Sequence, residues 1–92
     1  MLNKRIHDLR VAQGYSQVAL AKRLGVSKQA VSNWENDNIQ PSIEMLIRLA
    51  DLFSVSTDYL LGREAALRVD LSDLDEKAAG HLLLLIDDLR RQ

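Results

Sequence analysis

Only Val26 separates Gly25, a residue suited to ending a helix, from Ser27, a residue suited to starting one. A glycine just past a helix tolerates the positive φ that a left-handed stop requires. A serine hydroxyl accepts from the first free N–H groups of the helix that follows it. Apolar residues flank this junction at helical spacing, with Val18, Leu20, Ala21 and Leu24 before it and Ala30, Val31 and Trp34 after it. The chain must therefore turn sharply between two short helices.

The same punctuation recurs along the sequence. A first helix is expected over about residues 3–13, with Ile6 and Leu9 facing inward and Gly14 stopping it. Ser16 caps a second helix, 17–24, and Ser27 a third that runs to about Asn36. Pro41 and Ser42 open a fourth, 43–53, with Glu44 in the first turn where the dipole favours a carboxylate. Ser56 caps a fifth, 57–61, which ends at Gly62. Long alternating Val/Ile/Thr runs are absent, which argues against a sheet and for an all-α fold. The polar segment 63–71 reads as a linker. A last helix is expected from near Ser72, with Asp75 three positions on as a capping-box-like start, to about Arg91. The organisation is then a five-helix domain over 1–62, a linker over 63–71 and a C-terminal helix within 72–92.

Composition removes several classes of function. Ninety-two residues make one domain, and 47% apolar with 27% charged residues is an ordinary soluble balance. There is no cysteine, and His7 and His81 lie far apart, so no structural metal site is expected. No nucleophile–base pair or phosphate-cradling glycine loop can be assembled, so neither an enzyme nor a cofactor is expected. The apolar run 82–86 is far short of a membrane span, and the N-terminus has no export signal, which points to the cytoplasm. The net charge of −1 hides a split: residues 1–40 hold six Lys/Arg against three acids, and residues 41–92 hold six against ten. A basic first half points to a polyanionic partner.

The third helix carries the chemistry for such a partner. At about 100° per residue, Ala30, Val31 and Trp34 share one arc of about 100°. Lys28, Gln29, Ser32, Asn33 and Asn36 occupy the rest of the wheel. Gln and Asn pair bidentately with adenine, Lys donates to guanine, and a Ser hydroxyl serves either base. Two helices joined through Gly25, Val26 and Ser27 form a helix-turn-helix, whose second helix enters the major groove N-terminal part first. That geometry favours Lys28, Gln29 and Ser32 over Asn36 for base contact. Gln17 and Ser27 stand at helix starts, where free N–H groups and the dipole favour a phosphate. Trp34, on the inner arc, is read as core.

Residues 1–62 resemble the phage Cro/repressor type of helix-turn-helix domain (lambda-repressor-like, Xre family). The matching signature is Arg5-Ile6, Leu9-Arg10, Gly14-Tyr15-Ser16-Gln17, Leu20-Ala21, Leu24-Gly25-Val26-Ser27 and Val31-Ser32-Asn33-Trp34-Glu35-Asn36. It continues through Pro41-Ser42, Leu46, Leu49-Ala50, Phe53-Ser54-Val55-Ser56 and Tyr59-Leu60-Leu61-Gly62. The resemblance implies a bacterial or phage-encoded homodimer that binds an operator sequence-specifically and regulates transcription, with repression the first expectation. It implies base reading by Lys28, Gln29, Ser32 and Asn33, and phosphate positioning by Gln17, Ser27 and Asn36, with Gln17 also orienting Gln29. It further implies a structural ion pair between Arg10 and Glu35. The chain departs from the family at Asp37-Asn38, where a glycine is usual, and its loop before Pro41 lacks Lys and Arg. Lys4, Arg5, Lys22 and Arg23 are backbone-contact candidates or solvated charges, and no special role is expected of His7.

In the last helix, Leu71, Ala78, Leu82, Leu85 and Leu89 form a heptad-like seam, while Leu83, Leu84 and Ile86 lie off it. A helix apolar on more than one face expects burial on two sides. Ala78, Leu82, Leu85 and Leu89 are the dimerisation candidates, against a helix folded back onto its own domain. Gly80 in mid-helix suggests close approach of another backbone. The rival reading keeps the fold but makes a protein, bound through this helix, the main partner, as in an antitoxin or adaptor. A helical bundle with no DNA role leaves the amide-rich third helix unexplained.

Overall fold

The structure is a computed structural model that describes residues 1–65 and 71–91. Its elements are α1 (Leu2–Ala12), α2 (Gln17–Leu24), α3 (Lys28–Glu35), α4 (Ile43–Phe53), α5 (Thr57–Leu60) and α6 (Glu76–Arg90), with no strand among the described residues. Serine chemistry starts four of them. Ser16, Ser27, Ser42 and Ser56 take extended backbone angles, and each hydroxyl accepts the N–H three residues on, at 2.9–3.1 Å. A cap of this kind is worth about 1 kcal/mol against alanine.

The helix ends share one motif. After α2, Gly25 has φ +71°, its N–H donates to the Lys22 carbonyl and that of Val26 to the Ala21 carbonyl at 3.0 Å. Val26 then packs half-buried against the core, closing the stop with an apolar contact. The ends of α3 and α4 make the same pair of bonds, but a side-chain-bearing residue stands at the left-handed position: Asp37 at φ +59° and Ser54 at φ +57°. A left-handed angle costs an L-residue up to about 1–2 kcal/mol, less for aspartate than for most. Asp37→Gly is therefore expected to stabilise the domain by about 1 kcal/mol, raising the urea midpoint without changing its slope. A lower midpoint would mean that the Asp37 side chain itself holds the turn.

The last helix begins later than the serine pattern suggested. Asp75 is not the fourth residue of a capping box opened by Ser72; it is the cap, its Oδ1 accepting the Ala78 N–H at 2.7 Å. Aspartate caps as well as serine, and the chain just before it is held in a turn in which Leu74 N–H donates to the Leu71 carbonyl at 3.0 Å. Nothing lies within 4 Å of the place a Cβ would take on Gly80, so the backbone approach expected there is not made among the described residues. Of the linker expected over 63–71, residues 66–70 lie outside the described residues.

Helices α1 to α5 share one core. Ile6, Leu20, Val31, Leu49 and Leu60 are fully buried, with Ala21, Leu24, Trp34, Ala50 and Phe53 beside them. Each helix contributes at least one of these anchors, so the short α3 is held by burial of its inner arc rather than by its own helix propensity. Helix α6 contributes none.

Candidate nucleic-acid interface

The outward side of α3 is built from the residues the core rejects. Val31 and Trp34 point in, so Lys28 and Gln29 stand exposed on the first turn and Asn36 just past the last. Ser32 and Asn33 are half-buried between them. Two side-chain bonds one turn apart order this face: Gln29 Nε2 donates to Asn33 Oδ1 at 3.0 Å, and Asn36 Nδ2 to Ser32 Oγ at 3.2 Å. Each amide keeps further donor and acceptor capacity, which suits it to pair with a base edge or a phosphate.

The two phosphate candidates at helix starts are partly engaged within the chain. The Ser27 oxygen accepts the Ala30 N–H, which leaves the hydroxyl hydrogen as its donor. The Gln17 amide is engaged at Glu35, its Nε2 donating to Oε1 at 3.3 Å.

That carboxylate is the hub of the site. Arg10 grips Glu35 with both ends of its fork, Nε to Oε2 at 2.6 Å and Nη2 to Oε1 at 3.0 Å. Its remaining nitrogen, Nη1, donates to the Tyr15 carbonyl at 2.7 Å. Both side chains are nearly closed to solvent, at 11% exposure for Arg10 and 5% for Glu35. Burial alone pushes the Glu35 carboxyl up, but hydrogen bonds from Arg10, His7 and Gln17 outweigh it and leave the group below its usual 4.5. The same pairing holds the Arg10 guanidinium above its ordinary value, burial opposing. The cluster ties α1, the start of α2 and the end of α3 together, which fixes the attitude of the outward face of α3.

His7 corrects the expectation of an idle residue. Its Nδ1 lies 2.9 Å from Glu35 Oε1 and 3.3 Å from Arg10 Nη2, and the shorter contact to an anion places a hydrogen on Nδ1. The signal was available, because His7 precedes Arg10 by three positions and so shares its helix face. Gln13 was also missed: its amide crosses to the end of α4 and donates to the Phe53 carbonyl at 3.1 Å.

The basic residues of the first half divide. Lys4 is paired with Asp8 at 2.9 Å, Arg5 lies 3.9 Å over the Tyr59 ring, and Arg23 donates to the Tyr15 hydroxyl at 3.0 Å. Lys22 and Lys28 are exposed. Among the described residues, no group of three His, Asp or Glu side chains is placed to hold a metal ion, and no helix is long and apolar enough to cross a membrane.

The surface of α6 differs from the rest. Leu83, Leu84, Leu85 and Leu89 are more than half exposed, and of the expected dimerisation set Ala78, Leu85 and Leu89 are exposed while Leu82 is half-buried.

Comparison with known proteins gives concordant matches. A family model described as helix-turn-helix matches residues 6–60. The HTH-type transcriptional regulator ImmR of Bacillus subtilis (strain 168) is 33% identical over 87 residues, which cover 95% of this chain and 68% of ImmR. The solved P22 c2 repressor in complex with synthetic operator 9T aligns with a TM-score of 0.65 at 36% identity, over 70% of this chain and 97% of the repressor. One chain of a solved SinR protein/SinI protein complex aligns at 28% identity and a TM-score of 0.65, over 94% of this chain and 79% of that chain.

Proposed function

Because this chain belongs to the helix-turn-helix family of DNA-binding transcriptional regulators, whose model spans residues 6–60, we propose that it reads a roughly palindromic operator as a homodimer. Helix α3 enters the major groove, and Lys28, Gln29, Ser32 and Asn33 face the bases. Gln17, Ser27 and Asn36 position the phosphates, and half-sites lie about one helical turn, roughly 34 Å, apart or a multiple of it. The outcome is repression of nearby transcription, in the cytoplasm. Residues 1–62 form the DNA-binding unit, 63–71 link it to the C-terminal helix, and Ala78, Leu82, Leu85 and Leu89 carry the dimer contact.

The observation that carries this reading is the ordered amide face of α3, turned outward by burial of Val31 and Trp34. It is tested by selecting duplexes from a random-sequence library at two salt concentrations with wild type and Gln29→Ala. The wild type is expected to enrich one two-fold-symmetric site. Gln29→Ala is expected to lose about 1–3 kcal/mol and relax preference at one base pair of each half-site. Equal weakening on every sequence would make Gln29 a phosphate contact instead. Binding without enrichment that fades steeply with salt would leave only backbone attraction.

A second reading, in which a protein is the main partner, is supported by the exposed leucines of α6 and by a structural neighbour solved as a protein–protein complex. Co-purification of one small protein in place of a homodimer would favour it.

A further inference from the structure

Helix α6 has no buried residue, although apolar side chains recur along it. On a helical wheel Ala78, Ala79, Leu82, Leu85, Ile86 and Leu89 fall within an arc of about 120°. Gly80 lies nearly opposite that arc, so it is not the place of contact. A 15-residue helix is marginal in water without a packed face. The stripe therefore needs a cover.

Volume and charge choose the cover and its direction. The spacing of Ala78, Leu82, Leu85 and Leu89 alternates four and three, the step of a coiled-coil seam. If a second α6 runs antiparallel, Leu82 of each copy meets Leu85 of the other, and the small Ala78 meets the large Leu89. A parallel pair would set Ala78 against Ala78, a thin layer beside three Leu–Leu layers.

The ends agree. Asp75 caps the helix in line with the stripe, followed by Glu76, while Arg90 flanks the stripe at the other end and Arg91 follows it. Asp87 is already held by Arg91 at 3.0 Å, which leaves Arg90 to face an acidic partner. Antiparallel pairing brings Arg90 of each copy to the Asp75–Glu76 end of the other and sets the helix dipoles head to tail. Parallel pairing would bring the two Asp75–Glu76 ends together.

We infer that the apolar stripe of α6, in which Ala78, Leu85 and Leu89 are exposed and Ala79, Leu82 and Ile86 half-buried, is covered by α6 of a second copy of this chain, running antiparallel, with Leu82 facing Leu85 and Ala78 facing Leu89. This rests on the homodimer proposed above and adds its contact and direction. The dyad then passes between Leu82 and Leu85. The two DNA-binding units leave the helix pair at opposite ends, each through the chain that precedes Asp75.

The absence of native cysteine makes the test direct. Full-length Ala78→Cys and Leu89→Cys variants, one of them size-tagged, are oxidised separately and after mixing by reversible unfolding. Sedimentation under reducing conditions records whether each is dimeric, and circular dichroism whether each is folded. The mixture is expected to give about tenfold more covalent dimer, of the mixed size, than either variant alone, since only the mixed pair brings two Cβ atoms within disulfide reach. Efficient cross-linking of each variant with itself would show a parallel pair and overturn the inference. So would a folded dimer that cross-links in no combination, because the contact would then lie elsewhere. A wild-type chain that sediments as a monomer at tens of micromolar overturns it as well. Duplex selection on the same samples separates this from the DNA reading: a monomer that still enriches a half-site keeps α3 as reader, and a cross-linked dimer that enriches nothing removes that role alone.

Discussion

Arg10→Met is expected to destabilise the protein by about 3–5 kcal/mol, read as a fall in the urea midpoint at neutral pH. The substitution keeps most of the side chain's apolar volume, so its cost is electrostatic. It leaves the Glu35 carboxylate buried with two of its hydrogen-bonding neighbours, His7 and Gln17, and without the bidentate charge that offset its desolvation. It also strips the Tyr15 carbonyl of its donor at the turn between α1 and α2. Arg10→Met/Glu35→Leu, which removes both charges, should regain most of the loss, because an apolar pair has no charge to desolvate. A single-variant cost below about 1 kcal/mol would mean that Glu35 is reached by water and that the pair contributes as a surface bridge does.

The pH dependence has a definite sign. In the wild type the Glu35 carboxyl sits below its usual 4.5, so the folded state releases this proton more readily than the unfolded state does. Its contribution is complete above the unfolded value and is lost as the pH falls through the lowered folded value. In Arg10→Met, burial is opposed only by the neutral amide and the imidazole, and the carboxyl should move upward. Mild acid should then narrow the gap between wild type and variant, by protonating a carboxylate that the fold no longer supports. A gap that stays constant from neutral pH into the acid range would remove Glu35 as the source of the effect.

What was legible in the sequence was local. Gly25-Val26-Ser27 encodes a stop and a start within three residues, because the left-handed angle and the hydroxyl cap are each decided by the residue that carries them. Ser16, Ser42 and Ser56 were readable for the same reason. Ser72 misled because Asp75, three positions on, has the same chemistry, and the choice between them depends on where the chain before α6 turns. The left-handed angles at Asp37 and Ser54 were silent, since neither residue announces one as glycine does. The hub at Glu35 is a different case. Its partners lie 18, 25 and 28 positions away, and no periodicity within one helix reaches that far. The resemblance to a known family supplied Arg10, whereas the geometry of packed helices supplied His7 and brought the Gln17 amide to Glu35.

Trp34→Ala is the second large effect, about 3–5 kcal/mol out of a total stability of about 5–15. Trp34 is 7% exposed and, with fully buried Val31, forms the inner arc of an eight-residue helix that could not stand alone. Removing the ring opens a cavity beneath α3 and frees the helix that carries Gln29 and Asn33. As the temperature approaches the lowered unfolding midpoint, the fold and the readout should therefore fail together. Thermal unfolding followed by circular dichroism should shift sharply down. DNA affinity should fall on every sequence in proportion to the unfolded fraction, unlike the change at one base pair expected of Gln29→Ala. Trp34→Phe, which keeps an apolar ring, should lie between wild type and alanine in both measurements. A stabilising osmolyte should restore binding to Trp34→Ala along with its ellipticity. If the variant instead folded normally and lost its preference at one base pair, Trp34 would be touching DNA, and the inner arc of α3 would have to be drawn again.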